Sequence, residues 1–371
     1  MGLQTDIEKL RVLLLEPYFG GSHQSFLRGL MENTPFEYTL MDMPARKWKW
    51  RMRLAAPLLA DELKKDTGRY DRVLCSTFVD VAALRALGPQ WLGEVPVLTY
   101  FHENQFAYPV QAEDERDMHF ALTNMTTALA SDSLAFNSRY NLDTFIDGIR
   151  DIIRRAPDMK LQRPAERILE KARILSPGLD LSYIDRAPEP DASSGAESPV
   201  VLWNHRWEHD KGPEEFFSTL YELDAEGVDF SLIVLGEQFE RQPGVFEEAR
   251  ERLSHRTLHF GYAPEKAEYA RLMKLATVAV STSLHEFFGI SVIEAARAGA
   301  RPLLPGRLAY PGLFPEGFLY NDGELKSRLR AELRSPRRLT REESLGLTGP
   351  HTWDALRQQY IDWIAGAERN A

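Results

Sequence analysis

The chain holds a single cysteine, Cys75, in 371 residues. One thiol excludes an internal disulfide and a cysteine-built metal cage, and a reducing cytoplasm is the expected compartment. No stretch reaches the ~18 apolar residues of a membrane-spanning helix, so no membrane association is expected. The start, MGLQTDIEKLRV, lacks the basic-then-apolar pattern of a secretory leader and the Ser/Thr of a myristoylation signal. An excess of positive charge is missing too. The net charge of −10 argues against generic adhesion to nucleic acid, although it leaves room for a local basic patch. Neither G-x-G-x-x-G nor G-x-x-x-x-G-K-[ST] occurs, which argues against dinucleotide binding and P-loop chemistry.

What the sequence has is alternation. RVLLLEPY (11–18), YDRVLCS (70–76), PVLTYFHEN (96–104) and SLAFNS (133–138) read as short apolar strands. Between and after them FGGSHQSFLRGLMEN, VDVAALRAL, MHFALTNMTTALASD and RYNLDTFIDGIRDIIRRA read as helices. A Pro, Ser, Ala and acid segment at 187–199 reads as a linker. The alternation then resumes with PVVLWNHRW, FSLIVLGE (230–237), TLHFGYA (257–263), TVAVSTSLHEFFG and RPLLPG. Repeated βαβ units predict an α/β chain of two doubly wound, Rossmann-like domains, 1–186 and 200–350, with an amphipathic C-terminal helix in 351–371. That helix is apolar on one face and suits either half, the N-terminal domain included.

In such sheets ligands sit beyond the carboxyl ends of strands, so the strand-to-helix turns matter most. Gly20 and Gly21 follow the first strand, where glycine permits close backbone approach to an anion; a plain tight turn explains them equally well. His102 ends a buried strand, and a lone histidine there is as often structural as catalytic. Arg206 and Lys211 lie in one loop. A planar fork plus a mobile ammonium suits a diphosphate, and a solvated loop pairing with Glu208, Asp210 and Glu214 suits them too. In HEFFGISVIEA, the amides of Gly289 and Ile290 open a helix where phosphate binds well. Glu286 and Glu294 can accept hydrogen bonds from sugar hydroxyls, while Phe287 and Phe288 fit either this loop or the core.

Residues 45–53, ARKWKWRMR, carry five basic residues, two Trp and no acid. Phosphates can be held by Arg46, Lys47, Lys49, Arg51 and Arg53, and unpaired bases can stack on Trp48 and Trp50. A solvated loop with its Trp packed inward is the plainer alternative, and an amphipathic helix docking on a membrane a further one. The mixed-charge segment 148–173 reads as a helical pair.

Taken together these stretches resemble GT-B glycosyltransferases of the family 4 type. That family shows Arg, four residues, then Lys after the first strand of the second domain, here Arg206 and Lys211. It also shows Glu, seven residues, then Glu at the last nucleotide-sugar loop, here Glu286 and Glu294. GGSHQSF, KWKWR, YFHENQ, FNS, HRWEHDKGPE and STSLHEFFGISVIEA are more specifically similar to the tRNA-queuosine mannosyltransferases. The resemblance implies two domains facing across a cleft. It implies retaining transfer of α-mannose from GDP-mannose to the cyclopentenediol of queuosine, at the wobble position of tRNA(Asp).

It also implies roles. Arg206, Lys211 and the helix start at Gly289 would stabilise the departing diphosphate. Glu286 would hold the sugar, with His102 beside it. The donor would further be lined by Gly20, Gly21, Gly261, Tyr262, Phe287, Phe288, Ile290 and Glu294. The acceptor and its RNA would meet Ser22, His23, Glu103, Asn104, Asn137 and the 46–53 segment. Such enzymes need no metal and carry no Asp-x-Asp motif, so neither a metal nor a resident cofactor is expected, nor a protein partner. A GT-B enzyme with a lipid or glycan acceptor, a nucleotide-sugar epimerase and an inactive RNA-binding protein on this scaffold are the competing readings.

Overall fold

The structure, a computed structural model, describes residues 10–108, 117–155, 158, 161–190, 198–237 and 243–366. It divides into two compact units, one of residues up to Leu179 together with the segment from Trp353, the other Asp180–Thr352.

The first unit alternates β1 (Arg11–Phe19), α1 (Gly21–Asn33), β2 (Glu37–Pro44), α2 (Trp48–Leu63), β3 (Arg72–Ser76), α3 (Val81–Leu87), β4 (Val97–Phe101), α4 (Met118–Ala130), β5 (Ser133–Phe136), α5 (Arg139–Arg155), α6 (Pro164–Leu169) and β6 (Ala172–Ile174). The strands form one parallel sheet in the order β2-β1-β3-β4-β5-β6. Strand periodicity explains the two-sided burial of β1. Val12 and Leu14 face a core with Phe26, Leu30 and Tyr100, while Leu13 and Leu15 face the other with Leu59, Leu63 and Leu84. β2 is absent from the alternation read above. It is an edge strand, mostly exposed on both faces, so it shows no apolar run. α2 forms where a basic loop was one expectation for 45–53; its buried Met52, Ala55, Ala56, Leu59, Ala60 and Leu63 supply the helical stripe.

The second unit contains α7 (Ser182–Arg186), β7 (Val200–Asn204), α8 (Pro213–Ala225), β8 (Ser231–Leu235), α9 (Val245–Arg252), β9 (Thr257–Gly261), α10 (Lys266–Leu275), β10 (Val278–Val280), α11 (Ile290–Arg297), β11 (Arg301–Pro305), β12 (Leu319–Tyr320), α12 (Leu325–Arg334) and α13 (Arg341–Thr348). Its parallel sheet runs β12-β11-β10-β7-β8-β9. The order reverses at β7, so β7 and β10 lie side by side and a crevice opens at their carboxyl ends.

The boundary differs from the expected 186. α7 belongs to the second unit because Asp185 pairs with Arg297 at 2.6 Å and Arg341 at 3.1 Å, and Tyr183 donates to Glu294 at 3.0 Å. Of the linker read at 187–199, residues 191–197 lie outside the described residues.

The last helix, α14 (Trp353–Ala365), packs on the first unit. Trp353, Leu356, Tyr360, Trp363 and Ile364 complete its core, each large side chain contributing about 1.5–3 kcal/mol by burial. Arg72 Nε donates to the Ile364 carbonyl at 3.0 Å, and Tyr360 Oη to that of Ser176 at 2.8 Å. A Cβ on Gly29 or Gly178 would come within 2.1 or 2.3 Å of the Trp353 indole. No helix among the described residues is long and apolar enough to cross a membrane.

Candidate active site

In the second unit the loops after β7 and β10 meet at the crevice. The amides of Leu284 and His285 donate to the Asp210 carbonyl at 2.9 and 3.2 Å and fix the two loops together. Gly212 makes the turn into α8 at φ 62°, and a Cβ there would sit 2.2 Å from the Thr282 carbonyl oxygen.

Lys211 is 6% exposed, which a lysine tolerates only when paired. Its Nζ donates to the His285 carbonyl at 2.8 Å and to Glu286 Oε2 at 3.2 Å, and lies 3.3 Å from Asp210 Oδ2. Burial opposes the ammonium, but Glu286 and Asp210 outweigh it and raise the Lys211 pKa. Burial likewise opposes the Glu286 carboxylate, and Lys211 more than offsets that, so its pKa is lowered. Gly289 caps α11 at φ 103°, leaving the first amides of the helix at the head of the crevice.

Arg206 stands at the exposed rim of this group, close enough for its charge to bear on Lys211. Its guanidinium is half exposed and pairs with Glu208 at 3.0 Å. Glu294 is half-buried, and each oxygen accepts one hydroxyl, from Tyr183 and from Tyr269, both at 3.0 Å. Burial raises its pKa, against these hydrogen bonds. Phe287 and Phe288 are core, with rings edge-on to His285 and His351. Gly261 ends β9, two strands from β7, and Tyr262 beyond it is exposed.

The tryptophans and histidines that flank Arg206 and Lys211 divide between core and surface. Trp203 and Trp207 are fully buried, and Trp207 stacks on Phe246 at 4.2 Å. His209 is exposed beside Glu214. His205 is buried with Nδ1 3.3 Å from Ser291 Oγ; burial and then the Lys211 charge lower its pKa to about 4.

In the first unit a second group forms at the carboxyl ends of β1, β3 and β4. His23, on α1, is 3.0 Å from Glu16 Oε2 through Nδ1 and 3.4 Å from Glu103 Oε2 through Nε2. Glu16 also accepts from Tyr18 N at 2.9 Å and Ser76 Oγ at 3.1 Å. The His102 ring lies 4.1 Å from that of His23, and Asn137 Nδ2 holds the His102 carbonyl at 2.7 Å. Burial opposes a charge on His23, but Glu16 and Glu103 raise its pKa to about 10. Burial and then the His23 charge push His102 well below the usual histidine range. Glu16 was not among the residues singled out above. Its signal was an acid inside RVLLLEPY, which a two-sided strand can bury only with partners.

Asn104 does not face an RNA. It is fully buried, donates to Asn141 and Thr144, and accepts from the amides of Phe106 and Ala107. Gly20 has extended backbone and is glycine because a Cβ would meet Ala45 Cβ at 2.5 Å; Gly21, at φ 52°, faces open space beside exposed Ser22.

In the 46–53 segment Arg46, Lys47, Lys49, Trp50 and Arg53 are exposed. Trp48 packs on Tyr108 and Phe120, Arg51 donates to Met43 Sδ at 3.3 Å, and Arg53 forms an exposed pair with Asp117 at 3.1 Å over the Phe120 ring. The surface available to a partner is therefore four cations and one indole.

Both halves of the chain match known proteins. Residues 11–179 match the family described as tRNA-queuosine alpha-mannosyltransferase N-terminal, and residues 188–304 match glycosyl transferases group 1. A tRNA-queuosine alpha-mannosyltransferase of Drosophila melanogaster is 32% identical over 336 residues, covering 89% of this chain and 88% of the relative. A GDP-mannose:cellobiosyl-diphosphopolyprenol alpha-mannosyltransferase of Xanthomonas campestris is 28% identical over 137 residues, 36% of this chain and 34% of that protein. Among solved structures, HepE of Anabaena in complex with UDP aligns with a TM-score of 0.71 at 15% identity, covering 96% of this chain and 100% of that one. A sucrose-phosphate synthase of Thermosynechococcus elongatus aligns at 0.64 and 16%, covering 94% and 97%. These structural likenesses concern the fold, which is GT-B. The sequence match, running through both units, identifies the chain as a glycosyltransferase belonging to the tRNA-queuosine alpha-mannosyltransferase family.

Proposed function

We propose that the enzyme transfers mannose, with retention, from GDP-mannose to the cyclopentenediol of queuosine at the wobble position of tRNA(Asp). Family membership supports mannosyl transfer to queuosine-bearing tRNA. The observation that carries the chemistry is the buried Lys211–Glu286 pair at the head of α11.

In this reading the diphosphate leaves toward Lys211 and the first amides of α11, whose positive ends stabilise charge as it develops. Lys211 has three N–H bonds and three partners, so binding a diphosphate requires it to give up one. The Asp210 contact is the longest and is the one to yield. Arg206, on the half-exposed rim, trades Glu208 for a phosphate oxygen at little cost, since an exposed pair is worth about 0–1 kcal/mol. Glu286, freed from part of its ion pair, accepts from sugar hydroxyls. The acceptor hydroxyl attacks from the face the diphosphate leaves, which takes its proton; no protein nucleophile and no metal are required. The reaction belongs in the cytoplasm, where charged tRNA and nucleotide sugar are both present.

A lipid-linked acceptor is the second reading, and one feature favours it. Trp50, Leu54 and Leu58 are all more than half exposed on α2, spaced along one helical stripe beside Lys47 and Lys49.

The donor side is tested by supplying queuosine tRNA with GDP-mannose, UDP-glucose or UDP-galactose in turn. A hexose adduct with GDP-mannose alone is expected. Equal use of a UDP-sugar overturns the donor assignment, and an adduct on a polyprenyl diphosphate acceptor in place of tRNA overturns the acceptor.

A further inference from the structure

The Glu16–His23–Glu103 chain with His102 lies outside the diphosphate chemistry and uses four ionisable groups in one small space. Glu16 continues the face of β1 that carries Val12 and Leu14, which points it under α1 toward His23. Its two oxygens are committed: one to Tyr18 N and Ser76 Oγ, the other to His23 Nδ1. His23 spans from there to Glu103, whose other oxygen accepts from Thr77 Oγ1 at 3.3 Å. Elements from β1, α1, β3 and β4 thus converge on one imidazole. Both His23 nitrogens face carboxylate oxygens as donors, which leaves it no lone pair for a metal.

His102 differs from its neighbour. Its ring lies against His23, Phe26 at 4.9 Å and Tyr100 at 4.6 Å, and neither ring nitrogen takes a hydrogen bond among the described residues. The Tyr100 hydroxyl is engaged elsewhere, on the Leu175 carbonyl at 2.8 Å. Glu103 keeps a partly exposed carboxylate, its side chain 14% accessible. The outward groups are therefore one carboxylate and one imidazole with an N–H and a lone pair. Two carboxylates against one imidazolium leave a net negative charge. That set repels phosphate and receives hydroxyl groups, the carboxylate and the imidazole each able to take one hydroxyl of a vicinal diol.

We propose that Glu103 and His102 bind the hydroxyls of a polyol acceptor, and that Glu16, acting through His23, is their positioning residue. The acceptor assignment rests on the transfer reading given above; the positioning role of Glu16 does not. Glu16 touches no substrate. It holds the imidazolium that braces Glu103 on one side and stacks on His102 on the other.

Glu16→Gln separates positioning from folding. The Gln carbonyl still accepts from Ser76 and Tyr18, and its amide still reaches His23 Nδ1 as a donor to a neutral ring. His23 loses one of its two carboxylates, its charge becomes labile near neutral pH, and His102 is released toward ordinary titration. The groups that face this pair are Glu16, Glu103, Tyr18 and Tyr100, with Ser76 and Thr77 behind the carboxylates; none other than Glu16 changes in the variant.

The experiment uses the full chain with queuosine tRNA and GDP-mannose. Glu103→Gln is expected to raise the acceptor KM about tenfold or more, and Glu16→Gln to raise it less, both with the GDP-mannose KM unchanged. Glu16→Gln also acquires an alkaline limb in its transfer profile between about pH 6 and 8 that the wild type lacks there, as the imidazolium bracing Glu103 is lost around the ordinary histidine pKa. Imidazole NMR titration of the free enzyme should show the His23 pKa falling and the His102 pKa rising in that variant. Unchanged acceptor KM and unchanged imidazole titrations overturn the proposal, as does an equal rise in donor KM. A wild-type enzyme that leaves queuosine tRNA unmodified overturns the transfer reading and the acceptor assignment with it, and the imidazole titrations then decide the positioning role by themselves.

Discussion

Lys211 Nζ and Glu286 Oε2 stand 3.2 Å apart although 75 residues separate them in the chain. The pairing follows from topology. β7 and β10 are neighbours at the point where the strand order reverses, so the loops leaving them share one crevice.

Removing Lys211 should therefore do two things. Lys211→Ala leaves Glu286 and Asp210 crowded without their cation, a loss of about 3–5 kcal/mol for a broken buried pair. It should also abolish measurable GDP-mannose binding while tRNA affinity holds. Calorimetric titration with each ligand checks this; Arg206→Ala, at the exposed rim, should lower donor affinity with little change in the melting temperature.

RNA binding should depend on four cations rather than five. Neutralising Arg46, Lys47, Lys49 and Arg53 together should weaken tRNA binding and reduce the slope of log K against log salt by about 3–4. Arg51 is half-buried against Met43, so its removal should leave that slope nearly unchanged. Filter binding across a salt series distinguishes the two sets.

The glycine turn at 212 should be intolerant. Gly212→Ala meets the Thr282 carbonyl as well as a left-handed backbone, whereas Gly227→Ala, at φ 73°, meets open space. The first should cost about 2–4 kcal/mol and the second about 1 kcal/mol. Urea unfolding of both variants measures the difference.

One buried histidine of each unit, His23 and His205, predicts an opposite pH limit. His23 is raised to about 10, so its contribution to stability is whole below about pH 6.5 and is lost as pH climbs toward 10. His205 is lowered to about 4, so the unfolded chain binds more protons below about pH 6.5 and stability falls from there toward pH 4. Urea midpoints measured from pH 4 to 10 should decline at both ends, and Glu16→Gln should flatten the alkaline side.

The alternation of strands and helices was legible because interior parallel strands are apolar on both faces, and the turns that carry the chemistry followed from it. The family resemblance put Lys211 and Glu286 at one donor site, where the residues alone left Lys211 equally suited to a solvated loop. It could not place Arg206, whose long side chain chooses between a loop acid and a ligand by rotamer. β2 escaped because a partly exposed edge strand has no continuous apolar run, and the helix at α2 was only one of three readings because its buried stripe begins inside a basic stretch and crosses Pro57. The resemblance put Asn104 against the acceptor and its RNA; its five hydrogen bonds, to Asn141, Thr144, Phe106 and Ala107, show that it serves the loop itself. Glu16 was visible as an isolated acid in an apolar strand, but its partners come also from two other elements, α1 and β3.

The central claim is tested most directly by the mass of one nucleoside. Queuosine tRNA(Asp) is incubated with the enzyme and GDP-mannose, digested, and the queuosine weighed. A single added hexose is expected with wild type, none with Lys211→Ala, and none on tRNA that lacks queuosine. Unmodified queuosine in the wild-type reaction, or hexose on tRNA without queuosine, would contradict it.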